Sequence, residues 1–169
     1  ALTDHDTIGG WEEAANALRP GMDLVLGAEI SAQTLDGVSV HILGLLFDPA
    51  HSELNAVLTQ TRDNRVSRME KIIARLNSVG IEITMDDVLA QLSEGATLGR
   101  PHLADALIAK KIVKNREEAF ADLLHNNSKH YVSHYSPSPE EAVRLIKAAG
   151  GVAIIAHPFA SLRGRVLSV

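Results

Sequence analysis

The N-terminal part of the chain combines short apolar runs with one helical stretch. The apolar spacing in WEEAANAL (11–18) predicts a short helix, and the run MDLVLGAEIS (22–31) has the length of a strand. The segment LDGVSVHILGLLF (35–47) begins with an Asp-Gly turn signal and continues with β-branched residues. It predicts another strand, joined to the one before it by a hairpin.

The middle of the chain, from residue 52 to about 127, has helical periodicity with no strand signal. A charged helix is predicted from Ser52 to about Asn77, about six or seven turns at 3.6 residues each, with Gly80 as its stop. Three shorter helices follow, started by Thr84 as N-cap, Pro101 in the first turn and Asn115 as N-cap. This run interrupts the alternation of strands and helices and indicates an inserted helical subdomain.

The alternation of helices and strands resumes after the helical segment. Ser138 as N-cap and Pro139 at the first helical position predict a helix in SPEEAVRLIKAAGG, with Glu141 completing a capping box. The apolar run VAIIAHP (152–158) is typical of a buried strand and ends near His157. We therefore expect an α/β domain of residues 1–48 and 137–169, with a helical insertion and its connecting loop over 49–136.

Composition narrows the possible chemistry. With 46% hydrophobic and 22% charged residues, the 169-residue chain can bury an ordinary globular core. It has no cysteine, so a metal site must rest on His, Asp and Glu. A net charge of -5 argues against binding long duplex nucleic acid. The absence of a bilayer-length apolar run and of signal-peptide features predicts a cytoplasmic protein that does not contact a membrane.

Metal-capable residues accompany the predicted strands. His5 and Glu29 follow the first two, His157 follows the last, and His41 lies in the third. Functional groups of β/α folds gather where strands end, so these four side chains are candidates for one metal site. A histidine of the core, held by one backbone hydrogen bond, is the alternative for His41.

The triplet Asp4-His5-Asp6 raises a separate question. A solvated turn would hold all three residues. Alternatively, Asp4 and Asp6 are catalytic-site residues that accept the spare ring N–H of a ligand histidine, which fixes its orientation and raises its basicity. The sequence leaves both interpretations open for Asp6.

Four segments, LTDHDT, GAEIS, HILGL and AIIAHP, resemble in this order the metal-site motifs of the PHP (polymerase and histidinol phosphatase) family. The resemblance implies a distorted (β/α)7 barrel with a multinuclear metal centre. It also implies that Glu29 bridges two metals, that His41 and His157 complete the second, and that His5 serves the third. Because the family's opening His-x-His and closing Asp-x-His motifs are missing, we expect a partial barrel and a truncated chain.

The segment GRPHLADAL (99–107) resembles the branch of this family that acts on 3′,5′-bisphosphate nucleotides and short RNA. The resemblance implies a metal-dependent phosphoesterase that uses a metal-activated water and two or three divalent ions, Mn, Zn or Fe. The alternatives are a phosphatase of a metabolite phosphate such as histidinol phosphate, and a non-catalytic PHP domain.

Cationic residues of the insertion are candidates for binding the substrate phosphate. Arg100 and His102 lie at a predicted helix N-terminus, where anions are stabilised. A loop over 125–136 carries Lys129 and His134, with Tyr131 or Tyr135 placed to stack on a base. The helix arginines Arg62, Arg65 and Arg68 are spaced to face phosphates, although a solvated helix face is the favoured interpretation.

Overall fold

The computed structural model describes residues 1–133 and 135–158. Their contacts divide the chain into two units. Unit 1 comprises Ala1–Thr61, Gly95–Thr97 and Tyr135–Val169, and unit 2 comprises Arg62–Glu94 and Leu98–His134. No helix within the described residues has both the length and the apolar character needed to cross a membrane.

Six helices and three strands are found in the described residues. In chain order they are α1 (Trp11–Asn16), β1 (Gly27–Gln33), β2 (Ser39–Leu45), α2 (Ser52–Asn77), α3 (Met85–Leu89), α4 (Arg100–Ala109), α5 (Arg116–Asp122), α6 (Pro139–Ala148) and β3 (Val152–Ala156). The long helix α2 has its predicted bounds, and the described residues between β2 and β3 form no strand.

Local capping explains why the helices begin where the sequence predicts. The side chains of Thr84, Asn115 and Ser138 each accept a hydrogen bond from the backbone N–H three residues later. These bonds satisfy amides that have no partner inside the helix. The stop after α2 is Gly80, whose φ of 83° is favourable for glycine.

The sheet has the order β1-β2-β3, with both neighbouring pairs antiparallel. The predicted hairpin between β1 and β2 is confirmed, but β1 begins at Gly27 rather than at residue 22 because its ladder starts with the Gly27–Leu45 pair. The strand expected before His5 is reduced to two isolated parallel bridges, Leu2–Leu26 and His5–Glu29. These bridges bring His5 level with Glu29.

The two faces of the sheet have different roles because successive strand side chains point to opposite sides. One face is apolar and belongs to the same core cluster as residues of α6 and of the first turns of α2; it carries Ala28, Ile30, Ala32, Val40 and Ile42. The alternate positions include Glu29, Ser31 and His41. The core of unit 1 therefore fixes which side chains are left for chemistry.

Close backbone packing accounts for the glycine at the start of β1. A Cβ added to Gly27 would lie 2.4 Å from the carbonyl oxygen of Gly44 and 2.8 Å from the Leu45 side chain. A side chain at Gly27 would thus overlap backbone of the neighbouring strand.

Unit 2 has its own helical core. Its largest fully buried side chains include Ile72, Leu76, Ile83, Leu103 and Leu107, contributed by α2, the α2–α3 connection and α4. Arg68 of α2 is only 9% exposed. The solvated-face interpretation of the helix arginines is therefore wrong for Arg68.

Candidate metal centre

Three histidines meet around one carboxylate oxygen, Oε1 of Glu29. His41 donates to it from Nδ1 over 2.5 Å, and His157 donates from Nε2 over 2.9 Å. The Nε2 atom of His5 lies 3.9 Å from the same oxygen. Unit 1 thus brings together the four residues that the sequence marked as candidate metal ligands.

The register of the sheet creates this cluster. Ser31 pairs with His41 and Glu29 pairs with Leu43, so Glu29 and His41 are diagonal neighbours on one face. His41 also pairs with Ala156, which places His157 just beyond the end of β3. The expectation that Glu29 follows its strand is wrong, because Glu29 lies within β1; His41 lies within β2, as predicted.

The histidines keep Glu29 ionised. Burial raises the pKa of this carboxyl group, but the hydrogen bond from His41, the charge of His5 and the hydrogen bond from His157 together lower it to about 2. Glu29 is therefore a carboxylate at neutral pH and presents negative charge to the three imidazole rings.

The donor set fits a divalent cation. The ligand atoms of His5, Glu29 and His41 all lie within 4.8 Å of one another. Small side-chain adjustments bring such atoms within the bond lengths of about 2.0–2.2 Å that nitrogen and oxygen ligands make to zinc. Imidazole and carboxylate also bind manganese and iron, so the residue types leave the identity of the metal open.

Asp6 does not lie in a solvated turn. Its side chain is fully buried, and its carboxylate accepts hydrogen bonds from the backbone N–H and the hydroxyl group of Ser31, each at 2.8 Å. Its backbone has a φ of 54°, in the left-handed region. These hydrogen bonds hold Asp6, the residue after His5, against β1.

Two residues of this arrangement were not among the candidates from sequence. Ser31 could have been found from strand alternation, since it lies two residues after Glu29. Thr97 donates from its hydroxyl to the carbonyl oxygen of His5, a contact across 92 residues that no local pattern indicates.

Asp4 has an exposed side chain, and its carbonyl oxygen accepts from the N–H of Glu29.

The candidate phosphate-binding residues of unit 2 make contacts within that unit. Arg100 donates from Nη1 to the carbonyl oxygen of Leu124 and to Oδ1 of Asn126, at 2.7 and 2.8 Å. His102 accepts at Nδ1 from the N–H of Gly99 and so caps α4. The side chain of Lys129 is exposed, and His134 lies outside the described residues.

Unit 2 also contains a cluster of positive charge around Tyr131. The guanidinium groups of Arg68 and Arg100 lie 5.2 and 5.6 Å from the centre of the Tyr131 ring. Burial and the charges of Arg100 and Arg65 lower the pKa of Arg68 to about 10, against an opposing effect of Tyr131. Among the described residues, no carboxylate contributes to the pKa shift of Arg68 or Arg100. We call Arg65, Arg68 and Arg100 the arginine cluster.

Comparisons with known proteins add to this geometry. No family model matches the chain. The 3′,5′-nucleoside bisphosphate phosphatase of Chromobacterium violaceum is 38% identical over 168 residues, which are 99% of this chain and 59% of that protein. A 5′-3′ exoribonuclease of Haemophilus influenzae is 37% identical over 159 residues, 94% of this chain and 57% of the relative.

Solved structures agree in fold. A provisionally assigned metal-dependent phosphoesterase from Bifidobacterium adolescentis has a TM-score of 0.91 and 44% sequence identity, with 98% of this chain and 59% of that chain covered. An amidohydrolase from Chromobacterium violaceum, with bound sulfate and no metal, has a TM-score of 0.86 and 38% identity, covering 94% and 56%.

The chain spans less than three fifths of the length of these relatives. Within that span it has their α/β fold, and it gathers three histidines around an ionised glutamate. In sequence and in fold, the chain is similar to the phosphatase, the exoribonuclease and the phosphoesterase named above.

Proposed function

We propose that the protein is a metal-dependent phosphoesterase that hydrolyses phosphate esters of 3′,5′-bisphosphate nucleotides or short RNA. The observation that carries this proposal is the convergence of His5, His41 and His157 on the Glu29 carboxylate. The C. violaceum relative named as a bisphosphate phosphatase and the H. influenzae relative named as an exoribonuclease support the choice of substrate class.

The proposed site would hold two or three divalent ions through His5, Glu29, His41 and His157. The ions would be Mn, Zn or Fe. Bound divalent ions supply Lewis acidity toward phosphoryl oxygens and lower the pKa of water. Glu29 is the central ligand in this proposal because its two oxygens allow it to bridge two ions. Asp6 and Ser31 hold the His5 segment against β1, so that His5 keeps its place beside Glu29.

The arginine cluster supports recognition of an anionic substrate. Arg68 is buried and Arg100 lies beside it across the Tyr131 ring, and a phosphate dianion would form charge-assisted hydrogen bonds with such guanidinium groups. We propose Arg100 and His102 as residues that bind a substrate phosphate, with Lys129 and His134 as further candidates. We also propose that the complete fold is the distorted (β/α)7 barrel of the family, in a cytoplasmic protein.

Metal content and phosphate release test the proposal on the whole natural protein. Glu29→Gln should abolish metal uptake and phosphate release from a 3′,5′-bisphosphate nucleotide together. Glu12→Gln, a change of an exposed acidic residue of α1, is the matched control and should leave both unchanged. Full metal content in Glu29→Gln would contradict the assignment of Glu29 as a ligand.

Arg100→Ala separates substrate binding from metal binding. It should lower kcat/KM by an amount that corresponds to about 1.5–3 kcal/mol of lost transition-state stabilisation, the range for a hydrogen bond to a charged group. The metal content should stay unchanged. Arg144→Ala, at an exposed arginine of α6, is the control. Because Arg100 also bonds to Leu124 and Asn126, Arg100→Lys should be measured beside it as the less disruptive variant.

Histidinol phosphate serves as the competing substrate in the same assay. Faster release from histidinol phosphate would favour a metabolite phosphatase. Release from neither compound by the metal-loaded protein would favour a non-catalytic PHP domain.

A further inference from the structure

The connection between α3 and α4 contains a residue that contacts the His5 segment. Residues Gly95–Thr97 of this connection belong to unit 1, whereas the chain before and after them, Arg62–Glu94 and Leu98–His134, belongs to unit 2. The hydroxyl group of Thr97 donates a hydrogen bond to the backbone carbonyl oxygen of His5. The contact therefore lies within unit 1, which also holds the candidate metal ligands.

The bond from Thr97 holds one peptide group, the one that joins His5 to Asp6. The N–H of this peptide group is that of Asp6, and it donates over 3.1 Å to the carbonyl oxygen of Glu29. Its C=O is that of His5, and it accepts from Thr97. Because a peptide group is planar and its N–H and C=O point in opposite directions, bonds on both sides restrict its rotation. The orientation of this peptide group in turn sets the direction of the His5 side chain.

The chain bends at the same place. Asp6 has a φ of 54°, in the left-handed region, which is uncommon for residues other than glycine. Before the bend, His5 is paired with Glu29 through an isolated bridge, whereas His41 lies inside the continuous ladder of β1 and β2. The sheet therefore supports the backbone of His5 less than that of His41, and the bond from Thr97 adds support where the chain turns.

The imidazole of His5 depends on its backbone more than the other two imidazoles do. His41 and His157 hydrogen-bond directly to Oε1 of Glu29, over 2.5 and 2.9 Å. The Nε2 atom of His5 lies 3.9 Å from this oxygen, beyond the range of about 2.7–3.2 Å for an N–H···O hydrogen bond. The His5 ring is thus not hydrogen-bonded to Oε1, so a rotation of its backbone would change its place beside Glu29.

We propose that Thr97 is a positioning residue of the metal centre. Its hydroxyl group fixes the His5–Asp6 peptide group and so keeps the His5 imidazole beside Glu29, where the ring can bind a metal ion. The inference rests on the proposed metal site, in which His5 is a ligand. Removing a group that orients a metal ligand typically weakens metal binding by about 10–100-fold. Thr97 acts at the lower end of this range because it bonds to the backbone of the ligand residue rather than to its ring.

NMR of the histidine rings tests the positioning without a bound metal. The whole natural protein, its metal removed by chelation, is compared with Thr97→Val, which lacks the hydroxyl group, and with Thr97→Ser, which keeps it. The His5 ring signals should shift in Thr97→Val and return to their wild-type positions in Thr97→Ser. Thr84→Val is the matched control, because it removes a hydroxyl group that caps α3 in unit 2, and it should leave these signals unchanged. Thr97 is only partly buried, and Thr97→Ala replaces Thr97→Val if the valine variant does not fold.

Equilibrium dialysis with Mn²⁺ tests the consequence for the metal centre. His5→Ala identifies the Mn²⁺ site that depends on His5, because it raises the Kd of that site. In Thr97→Val the same Kd should rise about tenfold. Thr97→Ser should restore the wild-type Kd, and Thr84→Val should not change it.

The outcomes separate this proposal from the proposed metal site. Unchanged His5 signals in Thr97→Val would overturn the positioning role, and so would a Kd that rises in His5→Ala but not in Thr97→Val. If Thr97→Ser fails to restore the signals and the Kd, the cause is altered packing and not the hydrogen bond, which also contradicts the proposal. If neither His5→Ala nor Thr97→Val changes Mn²⁺ binding, the assignment of His5 as a ligand is wrong, and the proposal falls with it.

Discussion

Replacing Ser31 by alanine tests the contact that holds the His5 segment to the sheet. The Ser31 hydroxyl donates over 2.8 Å to the carboxylate of Asp6, and both residues are buried, at 4% and 0% exposure. The variant removes this one hydrogen bond. It keeps the bond from the Ser31 backbone N–H to the other carboxylate oxygen of Asp6, also 2.8 Å long.

The expected loss follows from the charge of the acceptor. Hydrogen bonds to charged groups contribute about 1.5–3 kcal/mol, more than neutral ones, and a buried carboxylate that loses a donor keeps the cost of its desolvation. We therefore expect Ser31→Ala to lower the free energy of unfolding by about 1.5–3 kcal/mol. Ser93→Ala, at an exposed serine, should change it by less than about 0.5 kcal/mol.

Urea unfolding followed by tryptophan fluorescence measures this change where it occurs. Trp11 is the only tryptophan in the chain, and its indole N–H donates to the carbonyl oxygen of Gly27 at the start of β1. The fluorescence therefore reports on unit 1, which also contains Ser31. Equal midpoints for Ser31→Ala and Ser93→Ala would refute the structural role of the Ser31–Asp6 contact.

Three further predictions concern backbone packing, pH and metal binding. Gly27→Ala should destabilise unit 1 by at least about 1–3 kcal/mol because the added methyl group meets the neighbouring strand, whereas Gly9→Ala, with its nearest contact at 3.4 Å, should be tolerated; urea midpoints of the two variants decide this. The hydrogen bond from Arg116 lowers the pKa of Asp105. The Arg116–Asp105 contact therefore stabilises the folded protein above the pKa that Asp105 has in the unfolded state, and this stabilisation is lost as the pH falls through the folded-state pKa. Unfolding of Asp105→Asn should accordingly show a deficit of less than about 1 kcal/mol at neutral pH that disappears in acid, and a constant deficit would exclude this cause. Added Zn²⁺ or Mn²⁺ should raise the melting temperature of the wild-type protein but not of Glu29→Gln, and an equal rise in both would place the metal elsewhere.

Helix positions were predictable because their signals are local. Thr84, Asn115 and Ser138 each cap a helix through an amide three residues away, and the bounds of α2 follow from its own apolar spacing and from Gly80. The candidate metal ligands were found from residue type and motif order. Metal-binding chemistry requires imidazole or carboxylate groups here, since the chain has no cysteine.

The tertiary structure decided which of these side chains meet and which lie buried. Glu29 and His157 are 128 residues apart in sequence, and only the ladders through β2 bring them together. The burial of Asp6 depends on a partner 25 residues away, and that of Arg68 on a carbonyl group 64 residues away. The sequence by itself determined the helices and the chemistry available to the site, because both depend on residue type and near neighbours. The sheet register and the long-range hydrogen bonds determined the geometry, because a one-residue shift in pairing would turn Glu29 and His41 to the opposite face.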